Sequence, residues 1–195
     1  MRVDSIVNSI MSSMTYVLSE EGCDYVWLVD CGDVDKILEA IGSKQVKGIL
    51  LTHVHYDHIY GIPQLFELFP DCLVYSNNTG VEALKSSRKN LSLYNEDPIV
   101  VEGFKAHVIN EGYTIPVFDN VVVRVFETPG HCNSCLCYAI NDCLFTGDAY
   151  IPGITVVTHL PEGDKNKAAE SFARIKLLLS EFTVYSGHYC TIDNG

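Results

Sequence analysis

Apolar positions along the chain fall into short runs of two spacings, and these predict alternating strands and helices. "MTYVLS" (14–19) and "YVWLVD" (25–30) are dense in β-branched and aromatic residues. The turn residues Glu21-Gly22 lie between them, so they read as neighbouring strands. In "DVDKILEAI" (33–41) the apolar residues stand at 34, 37, 38 and 41, a helical spacing, with Asp33 placed to cap its start and Gly42 its end. "VKGILLT" (46–52) has the length of a buried strand. "IPQLFELF" (62–69) reads as a helix with proline in its first turn, "CLVYS" (72–76) as a strand and "GVEALKSS" (80–87) as a helix. Residues 88–118 are the least legible stretch: polar and broken by Pro98, Gly103, Gly112 and Pro116, they read in part as a loop over the site. Three strands follow at 121–128, 134–140 and 143–148, the last two joined by a turn at Asn141-Asp142. A helix over 166–180 and a strand over 182–188 complete the pattern. Alternating β and α segments without a linker or repeat predict one α/β domain over 1–195.

Composition narrows the setting. Of 195 residues, 47% are hydrophobic and 19% charged, with the charges dispersed, as in a packed globular chain. The formal net charge of -12 opposes phosphate backbones, so no nucleic-acid partner is expected. The N-terminal residues lack a secretory apolar core, and no segment has the apolar length to span a bilayer. The expectation is a cytoplasmic protein with no membrane partner, its eight cysteines reduced thiols. Oligomeric state is not legible.

The chemistry sits at the ends of apolar runs. "LLTHVHYDHIYGI" (50–62) puts His53, His55, Asp57 and His58 directly after a strand. In an extended segment His-x-His directs two imidazoles to one side, so both can reach one ion. Asp57 and His58 come where the chain turns and can face a second ion. Mixed imidazole and carboxylate donors suit hydrolytic metal sites. Further donors stand beside glycines at three other strand ends: His131 in "ETPGHC", Asp148 in "LFTGDA" and His188 in "VYSGHY".

These motifs in this order resemble the metallo-β-lactamase superfamily, and "LVDCG" (28–32) is similar to the strand end that precedes the histidine cluster in that family. The resemblance runs from about residue 14 to 190. It implies a four-layer αβ/βα sandwich with a binuclear metal centre at one edge. His53, His55 and His131 would hold the first metal, Asp57, His58 and His188 the second, and Asp148 would bridge them. Two Zn2+ ions are implied, with iron or manganese as alternatives. A histidine at 55, where the oxygen-reducing branch of the family has glutamate, favours the hydrolases. Water activated between the ions would attack a carbonyl or phosphoryl centre, with Asp57 the catalytic residue that orients it.

Within the family the set is most similar to glyoxalase II-like thioesterases. Those carry a helical C-terminal glutathione-binding domain, whereas this sequence stops seven residues after His188, so glutathione thioesters are not expected. A small-molecule ester or thioester is the expected substrate. Lactones, β-lactams and phosphodiesters remain open, as does a redox or non-catalytic metal-binding module. The pocket is expected from loops within 88–118 and 149–165. Tyr56 and Tyr60 read as packing beside the ligand loop, and His107 and His159 as surface or loop histidines. Cys135 and Cys137 read as small core residues; Cys132 and Cys190, close after His131 and His188, read as buried small residues too, with a place near the metals as the alternative.

Overall fold

Strands buried on both faces organise the structure, a computed structural model that describes residues 1–190. One sheet has six strands in chain order: β1 (Arg2–Val7), β2 (Met14–Ser19), β3 (Tyr25–Val29), β4 (Gln45–Leu50), β5 (Leu73–Ser76) and β6 (Lys105–Val108). The first two pairings are antiparallel and the remaining three parallel. The second sheet runs β11-β10-β9-β8-β7, from β7 (Thr114–Phe118), β8 (Val121–Glu127), β9 (Leu136–Ile140), β10 (Cys143–Gly147) and β11 (Thr183–Ser186). Only β10 and β11 pair in parallel there.

The period of two along each central strand divides the core into layers. Tyr16, Leu18, Trp27 and Val29 face the second sheet, where Leu136, Tyr138, Ile140 and Phe145 meet them. The alternate residues Val17, Val26, Leu28 and Ile49 pack instead under α1 (Val34–Ile41), α3 (Ile62–Leu68) and α4 (Asn78–Leu84) through Ile37, Ile41, Leu65 and Leu84. Across the molecule, Cys137, Ala139 and Leu144 turn outward under α5 (Lys165–Leu178) and meet Ile175. The order helix, sheet, sheet, helix is the expected four-layer αβ/βα sandwich.

Several local expectations are corrected. Residues 88–118 are loop only in part: they also hold a short 3-10 turn at Ser92–Tyr94, then β6 and β7, one at an edge of each sheet. The N-terminal residues form the edge strand β1, and Tyr56–Ile59 form the one-turn helix α2. Asp33 stands at the N-cap of α1, yet its side chain makes no capping bond. It accepts instead from Ser9 N and Oγ, each within 2.9 Å, and from Tyr60 Oη. The last five residues of the expected 1–195 domain lie outside the described part. No described helix is long and apolar enough to cross a membrane.

The C-terminal ends of β3, β4, β10 and β11 converge at one edge of the sandwich. There Thr52, just past β4, lies against Gly147 at the end of β10, where an added Cβ would fall 2.5 Å from Thr52 Oγ1. Leu136 N donates to Thr52 O at 2.7 Å, which ties the sheets together at the same place.

Candidate metal centre

All seven candidate ligands meet at this edge. His53 and His55 follow β4 in extended backbone, and Asp57 and His58 lie in α2. His131 follows the Pro129-Gly130 turn between β8 and β9, Asp148 follows β10 and His188 follows β11. Three groups place their donor atoms within 4.8 Å of one another: His53, His55 and His131; His53, His58 and Asp148; Asp57, His58 and His188. His131 Nε2 lies 2.9 Å from His55 Nδ1. Asp148 stands between the two outer groups, 3.5 Å from His131 Nε2 and 3.3 Å from His188 Nε2. Asp57 Oδ2 lies 3.3 Å from both His58 Nε2 and His188 Nε2.

A metal fits this donor set. His53 Nε2, His58 Nε2 and Asp148 Oδ1 are buried without any hydrogen-bond partner, a condition that costs about 1–3 kcal/mol per group unless something binds there. At His53 and Asp148 the electrostatics point the same way. Burial, joined by the neighbouring imidazoles, pushes His53 well below the usual histidine range, toward the neutral form that ligates. Burial opposes charge on Asp148, but His188, His58 and His131 outweigh it and hold the carboxyl below its ordinary value.

The far nitrogens are fixed by a second set of groups. His58 Nδ1 lies 2.9 Å from Asp30 Oδ2, and Asp30 also accepts from Thr52 N at 2.8 Å and Thr52 Oγ1 at 2.7 Å. His131 Nδ1 lies 2.8 Å from the Val157 carbonyl, and His188 Nδ1 3.0 Å from the Met11 carbonyl. Ser13 Oγ donates to Asp57 O at 2.7 Å and is itself held by Asn8. Sequence patterns do not single out Asn8, Ser13, Thr52 or the two carbonyls; "LVDCG" alone signals Asp30.

The remaining candidates separate. Tyr60 donates to Asp33 and packs with Tyr56 on the helical core, away from the ligands. Cys132 is buried with its Sγ 3.4 Å from Cys135 Sγ and 3.1 Å from Ser134 Oγ. Cys137 points to the opposite face of β9, under α5. Exposed His107 stacks on Tyr75 at 4.8 Å. The small cavity beside His131 and Asp148 is walled by Ile151, Ile154, Thr155, Val156 and Val157, which come from the expected 149–165 segment and not from 88–118.

Known proteins share this sequence and shape. A hydroxyacylglutathione hydrolase of Hydrogenovibrio crunogenus is 28% identical over 192 residues, covering 95% of this chain and 62% of that protein. The chain spans 62–66% of the length of the hydroxyacylglutathione hydrolases it matches. The crystal structure of the B3 metallo-β-lactamase BLEG-1 superposes with a TM-score of 0.87 at 23% identity, over 97% of this chain and 92% of that one. TTHA1623 in a di-iron-bound form gives 0.81 at 21%, over 96% and 93%. At such identities the two structures speak for the fold alone. The sequence pattern of the metallo-β-lactamase superfamily itself matches residues 11–188. With the sandwich, the edge position and the order of the seven side chains, that match makes this chain a member of the metallo-β-lactamase superfamily.

Proposed function

We propose that the chain is a metal-dependent hydrolase of carboxylic ester or thioester bonds in a small molecule. The observation that carries this reading is Asp148 standing between two ligand triads, with buried atoms on three of the seven side chains left without partners. His53, His55 and His131 would hold one ion, Asp57, His58 and His188 a second, and Asp148 both. Zinc suits these donors, and iron or manganese also accept them. Such a pair supplies Lewis acidity at a carbonyl oxygen and lowers the pKa of water toward about 7.

The chain's own residues contribute orientation. Asp57 holds His58 and His188 and can accept a hydrogen bond from a water beside them, which aims its lone pair. Asp30 and the Val157 carbonyl fix two rings before substrate arrives, so their alignment costs little reorganisation. Relatives named hydroxyacylglutathione hydrolase support a thioester. The net charge of -12 speaks against nucleic acid.

Metal analysis and a screen of esters, thioesters, lactones and β-lactams on one preparation test the proposal. Two metal equivalents per chain and turnover of an ester or thioester are expected. Asp57→Ala should lower kcat/KM about 10²–10³-fold with the circular dichroism spectrum retained. Full metal loading with no turnover on any substrate would refute the reading. Iron with a visible absorption band and oxygen consumption would move the site to redox chemistry.

A further inference from the structure

A second, larger cavity adjoins the candidate centre. It is a groove of about 370 Å³ lined by Ile154, Thr155, Val156 and Thr158 on one side and by Lys165, Ala168, Ala169 and Phe172 of α5 on the other. Ile154, Thr155 and Val156 also wall the small cavity that holds His131 and Asp148. One face of this segment therefore looks toward the ligands and the other along the helix. The hydrogen bond from His131 to the Val157 carbonyl pins the segment to the centre. At the other wall, Asp164 N donates to Gly130 O at 2.8 Å, which docks the start of α5 on the turn that carries His131.

Apolar side chains are left open here. Ile154 is 49% exposed and Phe172 39%, and they face one groove from its two walls. The groove's volume lies in the range of small-molecule pockets. Lys165 and Thr158 form a polar rim, which favours a neutral or anionic occupant over a cationic one.

We propose that this groove binds the apolar acyl limb of the substrate and makes the enzyme selective for medium-length over short acyl groups. The inference rests on the ester or thioester reading above and names the substrate class it takes. Each buried methylene strengthens binding about fourfold, so chain length should be read out strongly.

Binding is measured first on metal-free protein, with decanoate and acetate, by calorimetric titration. Decanoate should saturate and acetate should not. Ala169→Phe, which fills the groove from an exposed helix position, should weaken decanoate about tenfold or more, and Ile154→Asp on the opposite wall should do the same. On metal-loaded protein, the ratio of kcat/KM for decanoyl over acetyl thioester should be about tenfold or more and should collapse in both variants. Undiminished decanoate binding in both variants, or an unchanged ratio, overturns the proposal. A dimer in solution that Phe172→Asp splits also overturns it, because the groove is then the seat of a second copy. If no thioester is turned over, the hydrolase reading fails, while saturable decanoate binding that both variants lose still upholds the groove.

Discussion

At the scale of single residues, Asp30 decides what His58 can do. Only 2% exposed, it takes two hydrogen bonds from Thr52 and engages His58 Nδ1, so His58 Nε2 is the nitrogen left facing Asp57 and Asp148. Asp30→Ala should weaken metal binding about 10–100-fold, measured by competition with a chelator; unchanged affinity would show that α2 alone orients the ring. The seven candidate side chains stand out in the sequence because histidine and aspartate are out of place at the ends of apolar runs, and the fold brings them together. Their supports were less so, since a backbone carbonyl such as that of Val157 belongs to every residue and no spacing says which ring it meets. Asp33 illustrates a different ambiguity: an aspartate before a helix can cap it or reach elsewhere. Burial raises its carboxyl, but hydrogen bonds from Lys36, Tyr60 and Ser9 prevail and hold it at about 2, below its ordinary 3.8. Because the folded value is the lower one, the stabilisation is complete above about pH 5 and drains away as pH falls toward about 2. Asp33→Asn should therefore unfold at lower urea than the parent at pH 7, with the difference closing near pH 2. A difference that persists unchanged into acid would mean the carboxylate charge contributes nothing.

At the scale of elements, α5 and the His131 turn are locked together. Asp164 caps the helix by accepting from Asn166 N at 2.8 Å and Lys167 N at 3.1 Å. Gly130 has φ +141, and a Cβ there would come 2.3 Å from Ala168 N. Gly130→Ala combines a strained backbone with displacement of the helix, a cost on the order of 1–3 kcal/mol, or about 2–4 °C in Tm per kcal/mol for a chain of this size. It should also weaken metal binding, because His131 is the next residue. Asp164→Ala should lower the thermal midpoint through loss of the cap and spare the metal, so thermal scans with and without chelator separate cap from turn. Two of the strands that escaped the sequence reading are weakly amphipathic. β6 is exposed along its whole length, and β1 buries only Ile6. β7 contains Pro116, which reads as a breaker yet is tolerated on an edge strand, where its missing N–H leaves no ladder bond unmade. Period-two signals mark strands that pack on a core; β1 and β6 lack them, while β7 has one that Pro116 hides.

At the scale of the whole molecule, the candidate site needs both sheets, because His53, His55, Asp57 and His58 hang from the first and His131, Asp148 and His188 from the second. Burial patterns within single strands announce that both faces are covered, but not which strands face each other, since that depends on contacts far apart in the chain. Trp27 is one such contact. Its ring, 2% exposed, lies in the core between the sheets, and its Nε1 donates to Val117 O across the gap at 2.9 Å. As the chain's single tryptophan, it reports on sheet-to-sheet packing and on nothing else. In metal-stripped protein its fluorescence and the far-UV circular dichroism should lose native signal at the same urea concentration if the four layers fold as one cooperative unit. Trp27→Phe leaves the Val117 carbonyl without its donor and should lower stability by about 1–3 kcal/mol. It should weaken metal binding only as far as the sheets separate at the concentration tested. Adding back zinc should raise the midpoint for both observables together, because ions held by ligands from both sheets stabilise only the assembled state. Fluorescence that changes at lower urea than circular dichroism would instead mean that the sheets part while each remains folded, and the metal would then be what closes the sandwich.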